Sequence, residues 1–354
     1  MRILITGGAG FIGSHLAEAC LNRGDEVYII DDLSTGSLTN LEHLQKDERY
    51  KWRLYFVQDT ILNREIMTEL VGTCDVVFHL AAAVGVQYII DNPLTSIITN
   101  VRGTEIMLEL CAKFKKKIVL ASTSEVYGKH DTAPLVETDD CVYGPSEKSR
   151  WSYAAGKLMD EFTGLAYHRT KQLPVIIVRL FNTVGPRQTG QYGMVIPRLV
   201  KQALAGNDIT VYGDGNQTRT FTHIVEVVKA LLRLIAKEEA VGQVVNIGGV
   251  EEVSIVQLAH RIKKFTRSKS KIILVPYDKA YPKDFEDMQR RVPSTKKLKK
   301  LTGFSPSMEL DIILKDVIAY FRGSLSKEKS KHPQALPLSK KPRSRNLSES
   351  ASAR

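Results

Sequence analysis

The first half of the chain alternates short, continuously apolar runs with longer stretches in which apolar residues return every three or four positions. The runs Ile3–Thr6, Val27–Ile30, Tyr55–Val57, Val76–Leu80, Ile118–Ala121 and Val175–Val178 predict strands. Between them, Phe11–Asn22, Thr95–Lys113 and Tyr153–His168 predict amphipathic helices. Strands apolar on both faces and separated by helices form a parallel sheet covered on both sides. The expected fold class is therefore α/β, with a doubly wound parallel sheet.

Past Asn182 the rhythm changes: Gly and Pro become frequent and the runs shorten. Helices are predicted at Ile196–Leu204, His223–Ile235, Ser254–Phe265 and Leu310–Phe321, and strands at Ile209–Tyr212, Val244–Ile247 and Ile272–Val275. This pattern predicts a smaller C-terminal α/β lobe over residues 183–322, with some segments returning to the main sheet of residues 1–182. Residues 323–354 are rich in Ser, Pro and Lys and hold no aromatic residue after Gly323, the composition of a disordered basic tail.

The first strand runs into Thr6-Gly7-Gly8-Ala9-Gly10-Phe11-Ile12-Gly13. Glycines at 7, 10 and 13 suit a tight turn, a close approach of backbone to a pyrophosphate, and close packing of helix on sheet. Asp31 ends the second strand, where an acid accepts hydrogen bonds from an adenosine ribose and repels the extra phosphate of NADP. NAD is the expected cofactor. Asp59 follows the third strand, placed to meet an adenine amino group or to cap a helix. Leu80-Ala81-Ala82 follows the fourth, where small residues let a cofactor lie against the backbone.

Tyr153 and Lys157 stand four apart on one helical face. A neighbouring ammonium, together with the positive nicotinamide, is expected to lower the phenol's pKa toward neutrality, so that Tyr153 takes a hydroxyl proton as hydride leaves carbon. Thr123 closes the fifth strand and is expected to hold that hydroxyl.

Composition narrows the function without naming it. The 354 residues are 43% hydrophobic, enough for a large core, and no run approaches a membrane span. No N-terminal signal peptide is apparent, and four scattered cysteines carry neither a disulfide framework nor a metal spacing, so a cytoplasmic protein without a metal site is expected. The net charge of +11 is uneven: Ser324–Arg354 holds eight Lys and Arg against two Glu, six of the eleven charges. A nucleic-acid-binding enzyme would carry its basic face on the folded part, so neither a nucleic acid nor a membrane is expected as partner.

Taken together, these motifs resemble the extended short-chain dehydrogenase/reductase superfamily, the NAD-dependent nucleotide-sugar epimerases, dehydratases and decarboxylases. The resemblance covers residues 1 to about 322. It rests on the glycine motif, Asp31, His79-Leu80-Ala81, Ser122-Thr123-Ser124-Glu125-Val126-Tyr127-Gly128, Tyr153 with Lys157, Arg179-Leu180-Phe181-Asn182 leading to Gly185-Pro186-Arg187, Val211-Tyr212-Gly213-Asp214-Gly215, and Thr218-Arg219. It implies a Rossmann sheet, NAD recycled within each turnover, a UDP-sugar substrate, and a homodimer built on helices such as Thr95–Lys113 and Tyr153–His168. It extends the cofactor set to Phe11, Ile12, Asp32, Thr35, Gly36, Thr60 and Asn100. It places Val86, Ser124, Asn182, Arg187, Tyr212, Arg219 and Arg291 at the substrate.

These enzymes first oxidise the sugar, commonly at C4, and then diverge. The 4,6-dehydratases carry Asp-Glu where this chain has Ser124-Glu125, which removes the donor for a departing hydroxyl and ranks a dehydratase low. The Thr-Ser-Glu-Val-Tyr-Gly run is similar to that of UDP-glucuronate decarboxylases. Asp287-Met288-Gln289-Arg290-Arg291-Val292-Pro293-Ser294 resembles the segment that places a catalytic Arg in such enzymes, Arg291 being the match. The expected catalytic set is Thr123, Glu125, Tyr153, Lys157 and Arg291, and the expected activity a UDP-glucuronate decarboxylase. A 4-epimerase of UDP-glucose or UDP-glucuronate is the alternative, because similar Phe181–Arg187 segments occur there. A non-enzymatic NAD(H) sensor is a third reading; such sensors tend to lose the Tyr or the Lys.

Overall fold

The computed structural model describes residues 1–130, 132–190, 194–280 and 288–331. Six strands form in the order the apolar runs predict: β1 (Arg2–Thr6), β2 (Glu26–Ile30), β3 (Leu54–Val57), β4 (Val76–His79), β5 (Lys117–Thr123) and β6 (Val175–Leu180). A seventh, Val244–Ile247, returns from the C-terminal half and pairs with β6. All pairings are parallel, and across the sheet the order is Val244–Ile247, β6, β5, β4, β1, β2, β3. The winding direction reverses between β1 and β4, which opens a crevice at the carboxyl ends of the strands.

The sheet is buried on both faces. Phe11–Arg23 and Ile224–Ile235 pack one face around Ile3, Phe78, Val178 and Leu231. Arg64–Thr73 and Gly103–Lys113 pack the other around Leu4, Val77, Met107 and Leu120. Each of these side chains is fully excluded from water, and burying each contributes on the order of 1.5–3 kcal/mol.

The expected helix Thr95–Lys113 begins at Pro93 and contains a π-helical turn, Ile98–Arg102. Tyr153 lies one turn inside its helix, which runs Arg150–Lys171. The helix expected from Leu310 to Phe321 continues to Lys331, so the first residues of the expected tail are helical; residues 332–354 lie outside the described ones.

The C-terminal half has its own core, in which Val195–Ala205, Ile255–Thr266 and Leu310–Lys331 pack on one another. Three short strands, Glu252–Ser254, Thr218–Thr220 and Arg290–Arg291, form a small sheet over the crevice. Ile224–Ile235, Val244–Ile247 and Lys296–Thr302 lie against the main sheet, with Leu231, Val245 and Leu298 in its core. Residues 183–322 are thus divided between two cores. Among the described residues no helix is long and apolar enough to cross a membrane, and no cluster of His, Cys, Asp and Glu could hold a metal ion.

Candidate functional site

A cavity of about 510 Å³ runs along the crevice, from the glycine motif to the small C-terminal sheet. Its first wall is built largely of backbone. Gly7 adopts φ +70°, and a Cβ there would lie 2.9 Å from the Ala81 backbone; a Cβ on Gly13 would lie 2.2 Å from the Gly7 carbonyl oxygen. Only glycine closes this turn. The helix that follows, Phe11–Arg23, starts at Gly10 with no side-chain cap and no acid in its first turn. Its leading amides and the positive end of its dipole therefore face the cavity with no acid of the helix's own first turn among them.

Asp31 accepts hydrogen bonds from the Ala9 and Leu33 amides, both at 2.9 Å. Burial pushes its carboxyl above the usual range, while those amides pull it back. A carboxylate has about four acceptor sites, so Asp31 braces the loop and can still accept from a ligand. Asp59 takes the Thr60 amide at 2.7 Å and the Asn63 side chain at 2.8 Å, and Asn63 caps the next helix. Asp32, Thr35, Asp59, Phe11, Ile12, Leu80, Ala81 and Ala82 line the cavity together with Gly7, Gly10, Gly13 and Asp31.

Three members of the expected cofactor set stand behind this wall rather than on it. Gly36 packs against the Asp31 carboxylate, where a Cβ would come within 2.7 Å. Thr60 serves Asp59 through its amide. Asn100 is buried and clamps Ala83, accepting from its amide at 2.7 Å and donating to its carbonyl at 3.2 Å. Those hydrogen bonds shape the loop after β4 and leave Asn100 out of the cavity lining.

The middle of the cavity gathers the expected catalytic residues. Thr123 ends β5 and caps a tight turn, Ser124–Tyr127, by accepting from the Glu125 amide at 3.2 Å. That turn directs Glu125 into the cavity. Arg291 Nη1 lies 3.5 Å from Glu125 Oε1 and 3.4 Å from Ser124 Oγ. Arg291 is held from behind, because Val292 and Ser294 bracket Leu135 with two backbone hydrogen bonds of 2.8 Å. Asp287, which opens the same motif, lies outside the described residues. Tyr153 is hydrogen-bonded to Thr123, and Glu125 bears on it electrostatically.

Lys157 is buried, and its ammonium pairs with Asp160 at 3.0 Å. The expectation that Lys157 lowers the pKa of Tyr153 does not hold for the chain on its own. Burial first, then the Glu125 and Asp160 carboxylates, push the phenol well above its ordinary range, and only the Thr123 hydrogen bond opposes them. The adjacent Glu161 does different work. It accepts from Ser122 and grips the buried Arg179 at 2.8 Å, tying β5, β6 and the helix together beneath the site.

The second wall is made of side chains from distant segments. Arg219 and Arg291 are register partners on neighbouring strands, and both line the cavity. Arg219 is buried, with Nη1 on the Thr218 carbonyl at 2.8 Å. Asn182 donates to the Thr220 carbonyl at 2.9 Å and presents its edge beside them. Tyr212 also lines the cavity, with the Arg198 guanidinium stacked 3.9 Å from its ring centre.

Arg187 is not brought to the cavity. It adopts φ +67° and turns back onto the first helix, where it pairs with Glu18 and bonds His43. It locks the C-terminal half onto the first helix. Val86 opens the short helix Val86–Asp91, and its side chain lies outside those described.

The sequence reading missed two cavity cations, Arg150 and Arg198. Both occupy the first turn of a helix, Arg150–Lys171 and Val195–Ala205. A cation there opposes the helix dipole, and that local cost is the signal available in the sequence. Arg150, Arg198, Arg219, Arg291 and Lys157 give the second wall a positive field against Glu125, whereas Asp31, Asp32 and Asp59 make the first wall acidic. Such a surface suits a ligand with several negative charges at one end.

A family model described as GDP-mannose 4,6-dehydratase matches residues 4–317. The chain is 44% identical to a UDP-N-acetyl-alpha-D-glucosaminuronate decarboxylase of Bacillus cytotoxicus, over 91% of this chain and 98% of that protein. It is 36% identical to UDP-glucuronic acid decarboxylase 1 of Xenopus tropicalis, over 92% of this chain and 73% of that one. Among solved structures, it is similar to a UDP-glucuronic acid 4-epimerase of Bacillus cereus in complex with UDP-glucuronic acid and NAD, with a TM-score of 0.82 and 29% identity over 92% of this chain and 100% of that one.

Proposed function

The chain belongs to the GDP-mannose 4,6-dehydratase family of nucleotide-sugar enzymes within the extended short-chain dehydrogenases/reductases, and from that premise we propose that it is an NAD-dependent decarboxylase of a UDP-linked uronate. The observation that carries the reading is the Glu125–Arg291 pair, set beside Tyr153 in a wall otherwise rich in cations. The identities favour a UDP-uronate, either glucuronate or its 2-acetamido counterpart.

The first wall fits NAD. The turn at Gly7 and Gly13 has no room for a Cβ, the uncapped helix start suits a pyrophosphate, and Asp31 keeps acceptor sites for ribose hydroxyls. When bound, NAD supplies the oxidising power at C4 of the sugar and restores the hydride at the end. The protein's own residues do the rest. Tyr153 takes the C4 hydroxyl proton, with Thr123 holding the same oxygen. The C4 ketone makes the C6 carboxylate a β-keto acid. Arg291 grips that carboxylate and orients it. The C5–C6 bond breaks, carbon dioxide leaves, and the electron pair moves into an enolate whose oxygen Tyr153 and Thr123 stabilise by hydrogen bonds. Glu125, ion-paired with Arg291, takes a proton from water and relays it to C5. Arg219 and Asn182 hold the diphosphate.

A homodimer is part of the same reading. Leu94, Ile97, Met159 and Phe162 are exposed on the two neighbouring helical segments, Phe162 at 60%. Light scattering should give twice the chain mass, and Phe162→Asp should return it to one; a native monomer contradicts this.

The test of activity is incubation of the NAD-loaded protein with UDP-glucuronate and, separately, with UDP-N-acetylglucosaminuronate, the products being identified by NMR. A UDP-pentose from either sugar supports the proposal. A 4-epimer that keeps its carboxylate identifies an epimerase, and no reaction with either sugar removes the uronate reading.

A further inference from the structure

We infer that Asp160 is a positioning residue for this chemistry, holding the Lys157 ammonium at the end of a one-way chain of buried hydrogen bonds that starts at the cofactor wall. The inference rests on the proton-handling role proposed for Tyr153. Thr6, His79, Thr104, Lys157 and Asp160 are each no more than 2% exposed, and their donors and acceptors can be assigned one by one.

Thr6 Oγ1 accepts the amides of Leu80 at 3.2 Å and Ala81 at 3.1 Å. A hydroxyl has two acceptor sites and one proton, so its proton goes to His79 Nδ1, 2.8 Å away. Burial lowers the pKa of His79 to about 3, which leaves the ring neutral. With Nδ1 accepting, the ring proton sits on Nε2 and is donated to Thr104 Oγ1 at 3.3 Å. Thr104 then gives its own proton to Asp160 Oδ2 at 3.0 Å, the same oxygen that Lys157 Nζ reaches at 3.0 Å. Every proton in the chain points toward Asp160, whose Oδ2 accepts from both Thr104 and Lys157. Burial pushes that carboxyl up, while the Lys157 charge and both hydrogen bonds pull it down.

The chain begins where Thr6 leads into Gly7, whose turn lies against Ala81, and it ends beside the reacting phenol. Asp160 therefore fixes where the Lys157 charge sits relative to the first wall, and it bears on Tyr153 itself. The groups that bear on the phenol are Glu125, itself paired with Arg291, and Thr123 from the end of β5, and Asp160 from its own helix. The neighbouring Glu161 has no such reach, because its carboxylate is taken by Ser122 and Arg179.

The test is an ultraviolet difference titration of the NAD-saturated protein, with Tyr153→Phe subtracted to isolate the one phenol. Asp160→Asn should lower the Tyr153 midpoint by about one pH unit, roughly tenfold more phenolate on the rising limb, and Asp160→Glu should restore the native midpoint. An unchanged midpoint in Asp160→Asn overturns the inference. If that variant does not fold, Thr104→Val, which removes one of the two donors to Asp160 Oδ2 and leaves Lys157 in place, is titrated instead. A midpoint displaced from native supports the inference, and a native midpoint overturns it. The titration needs no sugar. A shift in a protein that turns over no uronate would sink the proposed activity and leave Asp160 in place; turnover without a shift would do the reverse.

Discussion

The two walls of the cavity are built on opposite principles. The first, from Gly7 to Ala82, comes from the ends of four strands that follow one another in sequence, and it presents amides, small residues and acids. The second draws Arg150, Asn182, Arg198, Arg219 and Arg291 from five separate segments and presents guanidiniums. Backbone recognition needs only a local turn and a helix start, so a dozen residues encode it. Recognition of a charged, variable ligand needs side chains set at fixed distances, and those distances come from a second core and a small sheet assembled over the crevice.

The largest effect should come where the walls meet. Tyr153→Phe should cut turnover by about 10²–10⁴-fold, while the circular dichroism spectrum and thermal midpoint stay native. Turnover within a few fold of native would remove Tyr153 from the chemistry. Next comes the second wall. Arg219→Ala should weaken UDP binding by roughly tenfold to a hundredfold in calorimetry, the loss expected for one charged hydrogen bond. Arg187→Ala, which frees only Glu18 and His43, should leave that affinity unchanged. If the two variants behave alike, the separation of Arg187 from the cavity is wrong. The smallest of these effects belongs to the first wall: Gly13→Ala should weaken NAD binding about tenfold, because the loop must shift to admit a methyl group. UDP affinity measured on the same sample should not change.

The same contrast explains what the sequence disclosed. Six parallel strands, the glycine turn, Asp31 and the four-residue spacing of Tyr153 and Lys157 are set by periodicity and short spacing; the strands form where the apolar runs predict, and Gly7, Asp31, Tyr153 and Lys157 line one cavity. Asn100, Thr60 and Gly36 lie close to the first wall in sequence, yet their hydrogen bonds and packing serve the loops behind it. No local pattern separates a residue that touches a ligand from one that props up its neighbour. The turn at Arg187 is equally illegible, because a non-glycine residue at positive φ is paid for by contacts with a helix more than 160 residues earlier. The raised pKa of Tyr153 also depends on fold-level facts, its burial first and then the Glu125 and Asp160 carboxylates beside it. The first-turn arginines, Arg150 and Arg198, left a trace in the sequence only as cations on the wrong end of a helix dipole.

The most direct test of the central claim follows the carboxyl carbon. The NAD-loaded protein is given UDP-glucuronate, or its 2-acetamido counterpart, labelled with ¹³C at C6, and the label is traced by NMR. The account predicts that the label leaves as carbon dioxide and bicarbonate while an unlabelled UDP-pentose accumulates, and that Glu125→Gln slows this release far more than it weakens NAD binding. Label retained in a C4-inverted uronate would contradict it, and would leave Glu125 and Arg291 as residues that bind the carboxylate without breaking its bond.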